Sequence, residues 1–230
     1  MNLKDIWQTE RDFFITHVLF AIISLIVLVL PCSIPPGWRL FLLVVIYNIG
    51  IPIVALKKKY SEWLTIWQFA FVLSIFQVFP DWFLASQFNV LVFPEDGFFK
   101  IGAVSAYMAG LWAIPIFVIV YIGKWVEKHL SLPLAYTTAG LASLFIFGAS
   151  EQTMWQLNSW YAQNINLMIG HIALYVIPAE ILLGVSAFYA YRITCSCSLW
   201  QKVAAAFFVM TFYIGNLAFF YFIFENLIPQ

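Results

Sequence analysis

Long apolar stretches separated by short polar ones run along the whole chain. Crossing a bilayer takes roughly 20 mostly apolar residues. Seven windows meet or nearly meet this length: 13–31, 38–56, 63–80, 101–123, 131–150, 167–191 and 203–224. The pattern predicts an all-α polytopic membrane protein, a single domain of seven transmembrane helices over residues 1–230. The first stretch is too long for a signal peptide and lacks a small-residue cleavage site, so we expect it to remain as a span.

The basic residues predict the orientation of these spans. With the N-terminus inside, nine of the eleven basic residues fall in inside segments. The inside residues are Lys4, Arg11, Lys57, Lys58, Lys59, Lys124, Lys128, Arg192 and Lys202. The outside segments hold only Arg39 and Lys100. This asymmetry follows the positive-inside rule and predicts an N-in/C-out topology.

Composition narrows the possible classes of protein. The chain is 63% hydrophobic and 10% charged with zero net charge, whereas soluble domains carry about 25% charged residues. These values exclude a disordered chain, a nucleic-acid binder and an ordinary cytosolic enzyme. Three cysteines do not form a disulfide framework, and three scattered histidines do not form a metal site. We therefore expect no metal and no cofactor.

Ionisable side chains at membrane depth are candidates for chemistry, because inserting one costs about 2.5–3.5 kcal/mol. Glu180 lies near the middle of the sixth predicted span. A neutral carboxyl in an apolar pocket can act as a general acid. The alternative is a neutral glutamate that hydrogen-bonds between helices.

A second set of candidate catalytic residues gathers near the predicted outer ends of the spans. It consists of Asp81, Glu95, Asp96, Glu151 and His171. Carboxyls that meet in one site divide into an acid and a base. The alternatives are ordinary charges at the level of the headgroups and, for the histidine, an interfacial side chain.

Other polar and aromatic side chains inside or beside the spans are candidates for substrate binding. They are Asn48, Tyr107, Trp112, Tyr175 and Asn216. Aromatic faces also stabilise cations. The alternative for each is a hydrogen bond between helices. Segments 82–100 and 151–166 are too apolar for solvated loops and too short to span, which predicts interfacial or re-entrant pieces.

Two resemblances to known families add to this interpretation. The stretch Pro94-Glu95-Asp96-Gly97-Phe98-Phe99 resembles the Pro-x-Glu-Glu/Asp…Phe-Phe motif of membrane-bound lycopene cyclase domains. Those domains carry the motif near a helix start in each of two related halves. Pro178-Ala179-Glu180 would be the second copy, with Ile181 where a second acid is expected.

The chain as a whole resembles an uncharacterised family of small bacterial polytopic membrane proteins. The stretches that carry this resemblance are Pro80-Asp81-Trp82-Phe83, Phe93-Pro94-Glu95-Asp96, residues 107–115, Ala149-Ser150-Glu151, Trp160-Tyr161-Ala162 and residues 170–175. The resemblance implies a location in the bacterial inner (cytoplasmic) membrane. It implies no activity.

The leading hypothesis is an intramembrane enzyme of isoprenoid, carotenoid or related lipid metabolism. A carboxylic acid would protonate an alkene, and aromatic faces would stabilise the carbocation during cyclisation, isomerisation or hydration. Glu180 would be the acid, Glu95 or Asp96 its partner, and Glu151 and His171 would orient or relay the proton. The alternatives are a small proton-coupled transporter and a non-enzymatic lipid-binding or accessory membrane subunit.

Overall fold

Seven helices in a computed structural model of the protein are long and apolar enough to cross a membrane. The structure describes residues 3–227, with side chains from residue 7 onward, so the side chain of Lys4 lies outside the described part. The seven candidate spans are Trp7–Val29, Pro36–Lys58, Ser61–Gln87, Met108–His129, Leu132–Leu157, Val176–Thr194 and Leu199–Leu227. The seven predicted helices are therefore present.

Several of the spans are composed of more than one helical segment. The α-helices are α1 (Leu3–Val29), α2 (Pro36–Lys58), α3 (Ser61–Phe76), α4 (Val78–Trp82), α5 (Met108–Leu111), α6 (Ala113–His129), α7 (Leu132–Thr153), α8 (Val176–Thr194) and α9 (Leu199–Tyr221). A π-helical turn (Phe83–Gln87) continues α4, a 3-10 turn (Met154–Leu157) continues α7, and a π-helical segment (Phe222–Leu227) continues α9.

Two predicted spans begin too early in the sequence. Residues 100–105 form a hairpin of β2 (Lys100–Ile101) and β3 (Val104–Ser105), so the fourth span starts at Met108 rather than at 101. Residues 168–173 form a second hairpin, β5 (Met168–Ile169) and β6 (Ile172–Ala173), so the sixth starts at Val176 rather than at 167. Each hairpin turns at a glycine with positive φ, a backbone conformation that apolar periodicity does not reveal.

The two segments predicted to be interfacial or re-entrant pair with each other. Strand β1 (Leu91–Val92) pairs antiparallel with β4 (Tyr161–Ala162). Both strands lie at the end of the bundle that carries the two hairpins, here called the hairpin end. The N-terminus of α1 and the links α2–α3, α6–α7 and α8–α9 lie at the opposite end. The paired strands form a small lid across the hairpin end.

The chain contains an internal repeat that the fold makes visible. Ile101-Gly102-Ala103-Val104-Ser105-Ala106-Tyr107 and Ile169-Gly170-His171-Ile172-Ala173-Leu174-Tyr175 form hairpins of the same register, each followed by a helix. Each copy consists of a helix, a lid strand, a hairpin and a helix. In the lid, Leu91 pairs with Ala162, the counterpart of Val92, and Val92 pairs with Tyr161, the counterpart of Leu91. The two copies thus have the same order of elements and meet through their lid strands.

Buried side chains form two hydrophobic clusters. The larger one joins α2, α3 and α6–α9, and the smaller one lies at the hairpin end around Leu40, Phe98 and Met108. Helix α1 is peripheral, because none of its described side chains is fully buried. It contacts α6 through Phe13, whose ring stacks on Tyr121 with centroids 3.8 Å apart.

Candidate functional site

A cavity of about 420 Å³ lies beneath the lid, between the two hydrophobic clusters. Its size falls within the range of small-molecule pockets. Residues from all seven candidate spans and from both lid strands line it. Most of the lining is apolar, but Asp81, Glu151 and Glu180 also line it. No Lys, Arg or His side chain is among the described residues that line the cavity.

Asp81 reaches the cavity because the third span is irregular. Pro80 has no backbone N–H to donate within the helix, and the span breaks between α3 and α4 at Gln77. The π-helical turn Phe83–Gln87 then follows, an irregularity that recurs at functional sites. The carboxyl of Asp81, a residue only 4% exposed, accepts a 3.0 Å hydrogen bond from Nε1 of Trp112.

Glu151 enters the cavity from the last turns of α7. Its Oε1 accepts a 3.0 Å hydrogen bond from Nε1 of Trp160, which directly precedes β4. Asp81 and Glu151 each lie ten residues before the first residue of their lid strand, Leu91 and Tyr161. They are therefore counterparts in the internal repeat, and each receives one indole N–H.

Glu180 lies in the second turn of α8, not near the middle of a span as the sequence predicts, because α8 begins only at Val176. Its residue is 2% exposed. No described group donates a hydrogen bond to its carboxyl oxygens, although its backbone carbonyl accepts one from Ser143. The carboxyls of Glu180 and Glu151 are close enough for their charges to interact.

Aromatic rings surround these carboxyl groups. Seven of them line the cavity: Phe20, Phe93, Trp112, Phe147, Trp160, Tyr175 and Tyr213. Burial raises the pKa of the Tyr175 hydroxyl, so this side chain keeps its proton and is neutral. An apolar, aromatic cavity that holds three acids, and no basic side chain among the described lining residues, is chemically suited to apolar molecules and to positive charge.

Helices α1 and α6 both contribute residues to the cavity lining. Near the opposite end the two helices are joined by the stack of Phe13 on Tyr121. Towards the hairpin end, α1 lines the cavity with Phe20, Ser24 and Leu28, which lie four residues apart on one face. Lining residues of α6, such as Val118, are only half-buried there.

Two of the predicted catalytic acids lie outside the cavity lining. The side chain of Glu95 is 88% exposed, and its Oε1 forms an ion pair with Lys100 at 2.8 Å. Asp96 is buried, and its two carboxylate oxygens accept hydrogen bonds from the backbone N–H of Phe98 at 2.9 Å and from Oγ of Ser105 at 2.8 Å. Asp96 thus connects the first hairpin to the loop before it.

His171 also lies outside the cavity lining and outside the sixth span. It occupies the turn of the second hairpin, where its ring stacks on Trp155 with centroids 4.3 Å apart. Its backbone N–H donates to Oε1 of Gln152 at 3.2 Å. The structure therefore places His171 on the surface of the hairpin end, apart from Glu180.

Two of the five predicted binding residues line the cavity, and the other three lie outside its lining. Trp112 and Tyr175 line the cavity. Tyr107 hydrogen-bonds Oγ of Ser159 at 2.7 Å, and burial raises the pKa of its hydroxyl. Asn48 donates to the carbonyl of Gly110 at 3.0 Å and so joins α2 to α5. Asn216 donates to the carbonyl of Phe212 in its own helix.

Five of the seven cavity rings were absent from the sequence-based site: Phe20, Phe93, Phe147, Trp160 and Tyr213. From the sequence, Trp160 is typical of the aromatic belt at the headgroups, and Tyr213 is typical of a side chain that hydrogen-bonds between helices. The Ile-Gly-x-Val/Ile-x-x-Tyr motif that recurs at Ile101 and Ile169 was a usable signal for the repeat, and its spacing aligns Trp112 with Glu180. The correspondence of Asp81 with Glu151 follows instead from their equal distance to the lid strands, and Pro94 and Pro178 are not counterparts of each other.

A family model described as "Domain of unknown function (DUF6989)" matches residues 78–224, which is well over half of the chain. The chain belongs to this family. The matched region holds both copies of the internal repeat and all three carboxyls of the cavity. No curated protein and no solved structure matches the chain.

Proposed function

We propose that this DUF6989 protein is a membrane-embedded enzyme that binds an apolar lipid with carbon–carbon double bonds and starts its conversion by protonating one of them. The observation that carries the proposal is the convergence of Asp81, Glu151 and Glu180 on one aromatic, apolar cavity. Isoprenoids and carotenoids are the lipid class that we expect, because their alkenes form stabilised carbocations on protonation.

The chemistry follows from the residues of the cavity. A carboxylic acid such as Glu180, to which no described group donates a hydrogen bond, is a suitable proton donor to an alkene. The rings of Trp112 and Tyr213 and the carboxylates lie where they would stabilise the carbocation. Cyclisation, isomerisation or hydration would follow from the shape of the bound chain.

Solvent exchange gives a direct test. Purified protein is mixed in D₂O with an isoprenoid lipid extract of the host membrane, and the lipids are analysed by mass spectrometry. We expect a lipid to gain deuterium at carbon in the presence of the wild-type protein and not with Glu180→Gln. Incorporation at the same rate with E180Q would refute the role of Glu180.

Binding is tested separately with a cavity-filling variant. Ser150 lines the cavity and its hydroxyl donates to the carbonyl of Ile146 in its own helix, so Ser150→Trp fills space at little other cost. Ala149→Trp is the matched control, because Ala149 is exposed on the same turn. We expect wild type and A149W to co-purify with a stoichiometric apolar lipid, and S150W to lose it.

The outcomes also separate the alternatives. A bound lipid that never gains deuterium would favour a lipid-binding or accessory subunit. Bulk phospholipid alone, together with a proton flux in proteoliposomes that Glu180→Gln abolishes, would favour a proton-coupled transporter.

A further inference from the structure

The internal repeat exposes an asymmetry in the cavity. Asp81 and Glu151 are counterparts, and so are Trp112 and Glu180. In the first copy the indole of Trp112 donates to Asp81. In the second copy the same position carries a carboxyl, Glu180, and the donor to Glu151 is instead Trp160, directly before the lid strand β4.

We propose that Trp112 and Trp160 are positioning residues that hold Asp81 and Glu151 as carboxylates, and that Glu180 thereby keeps the transferable proton. An indole N–H can only donate, so it stabilises the ionised acceptor. Two neighbouring carboxyls without a cation share one proton. Because Glu151 has a donor and Glu180 has none among the described residues, the proton resides on Glu180.

This inference rests on the proposed function and assigns the direction of proton transfer within it. The O–H bond of Glu180 breaks, and the π electrons of the alkene form a C–H bond, which leaves a positive charge on the adjacent carbon. A different C–H bond then loses its proton to the carboxylate of Asp81, and its electron pair forms the new double bond. Between turnovers Asp81 releases a proton to water and Glu180 takes one up, so no oxidant or reductant is needed.

Infrared spectroscopy tests the assignment without a substrate. The C=O stretch of a protonated carboxyl is resolved from the stretches of carboxylates. Its loss in a variant therefore identifies the residue that carries the proton. In the intact protein at neutral pH we expect a protonated-carboxyl band that Glu180→Gln removes. Asp81→Asn should leave this band in place.

The positioning role has its own variants. Trp160→Phe removes the hydrogen-bond donor to Glu151. We expect Glu151 then to gain a proton, so that the area of the protonated-carboxyl band rises to at most about double. Adding Glu151→Gln to W160F should abolish that gain. The matched control is Trp155→Phe, because the indole of Trp155 lies nearby on the surface and donates only to the backbone of Gln152.

The results distinguish the two proposals. A band that persists in E180Q, or identical spectra for W160F and W155F in folded protein, would overturn the division of roles. The expected spectra together with no deuterium incorporation would support the division of roles and contradict turnover. A folded state is checked for each variant by its helical circular dichroism and its elution volume.

Discussion

Asp96 provides the sharpest test of whether a buried acid outside the cavity is structural. Its side chain accepts hydrogen bonds from the N–H of Phe98 and the hydroxyl of Ser105, both of which are buried. Its backbone carbonyl also accepts from the N–H of Gly37 at the start of α2. Asp96→Ala would keep that backbone bond and leave two buried donors without partners.

The cost of this substitution follows from those two groups. A buried donor left unsatisfied costs about 1–3 kcal/mol. We therefore expect Asp96→Ala to lower the free energy of unfolding by about 2–6 kcal/mol. For a chain of this length each kcal/mol corresponds to about 2–4 °C, so a loss of 3 kcal/mol lowers Tm by roughly 6–12 °C.

Thermal unfolding of the purified protein in detergent measures this shift. Glu95→Ala is the matched control, since its neighbouring, exposed side chain forms only a surface ion pair worth about 0–1 kcal/mol. The reasoning would be refuted if D96A and E95A unfolded at the same temperature. Loss of lipid conversion at an unchanged Tm would instead assign Asp96 to the chemistry.

Two further predictions concern topology and the hairpins. With an N-in/C-out topology, a membrane-impermeant maleimide should label Cys32 in intact cells and Cys197 only after permeabilisation. Each cysteine is tested in a single-cysteine variant, and the reverse order of labelling would contradict the topology. Gly102→Ala and Gly170→Ala place a Cβ at φ +61° and +62°, so each should cost about 1–2 kcal/mol of stability. Gly215→Ala, in an open helical position, is the control, and an equal Tm for all three would show that the hairpin turns are relaxed.

The sequence predicted the acids of the cavity, but it did not separate them from acids with other roles. Glu180, Glu151 and Asp81 are recognisable because acids in apolar stretches are costly. Glu95 and Asp96 have the same residue type, but one is exposed and the other is used in a turn. Residue type and spacing alone do not separate these cases, because the difference lies in which groups approach each carboxyl after folding.

The sequence by itself determined the number of candidate spans and their approximate extent, because apolar length is a local property of the chain. Tertiary structure alone decided where the fourth and sixth spans begin, since glycine turns convert apolar residues into hairpins. It also decided which acids meet, because the pairing of β1 with β4 brings together two segments about 70 residues apart and closes the cavity over Asp81, Glu151 and Glu180. Such contacts depend on packing between distant elements, which no local pattern encodes.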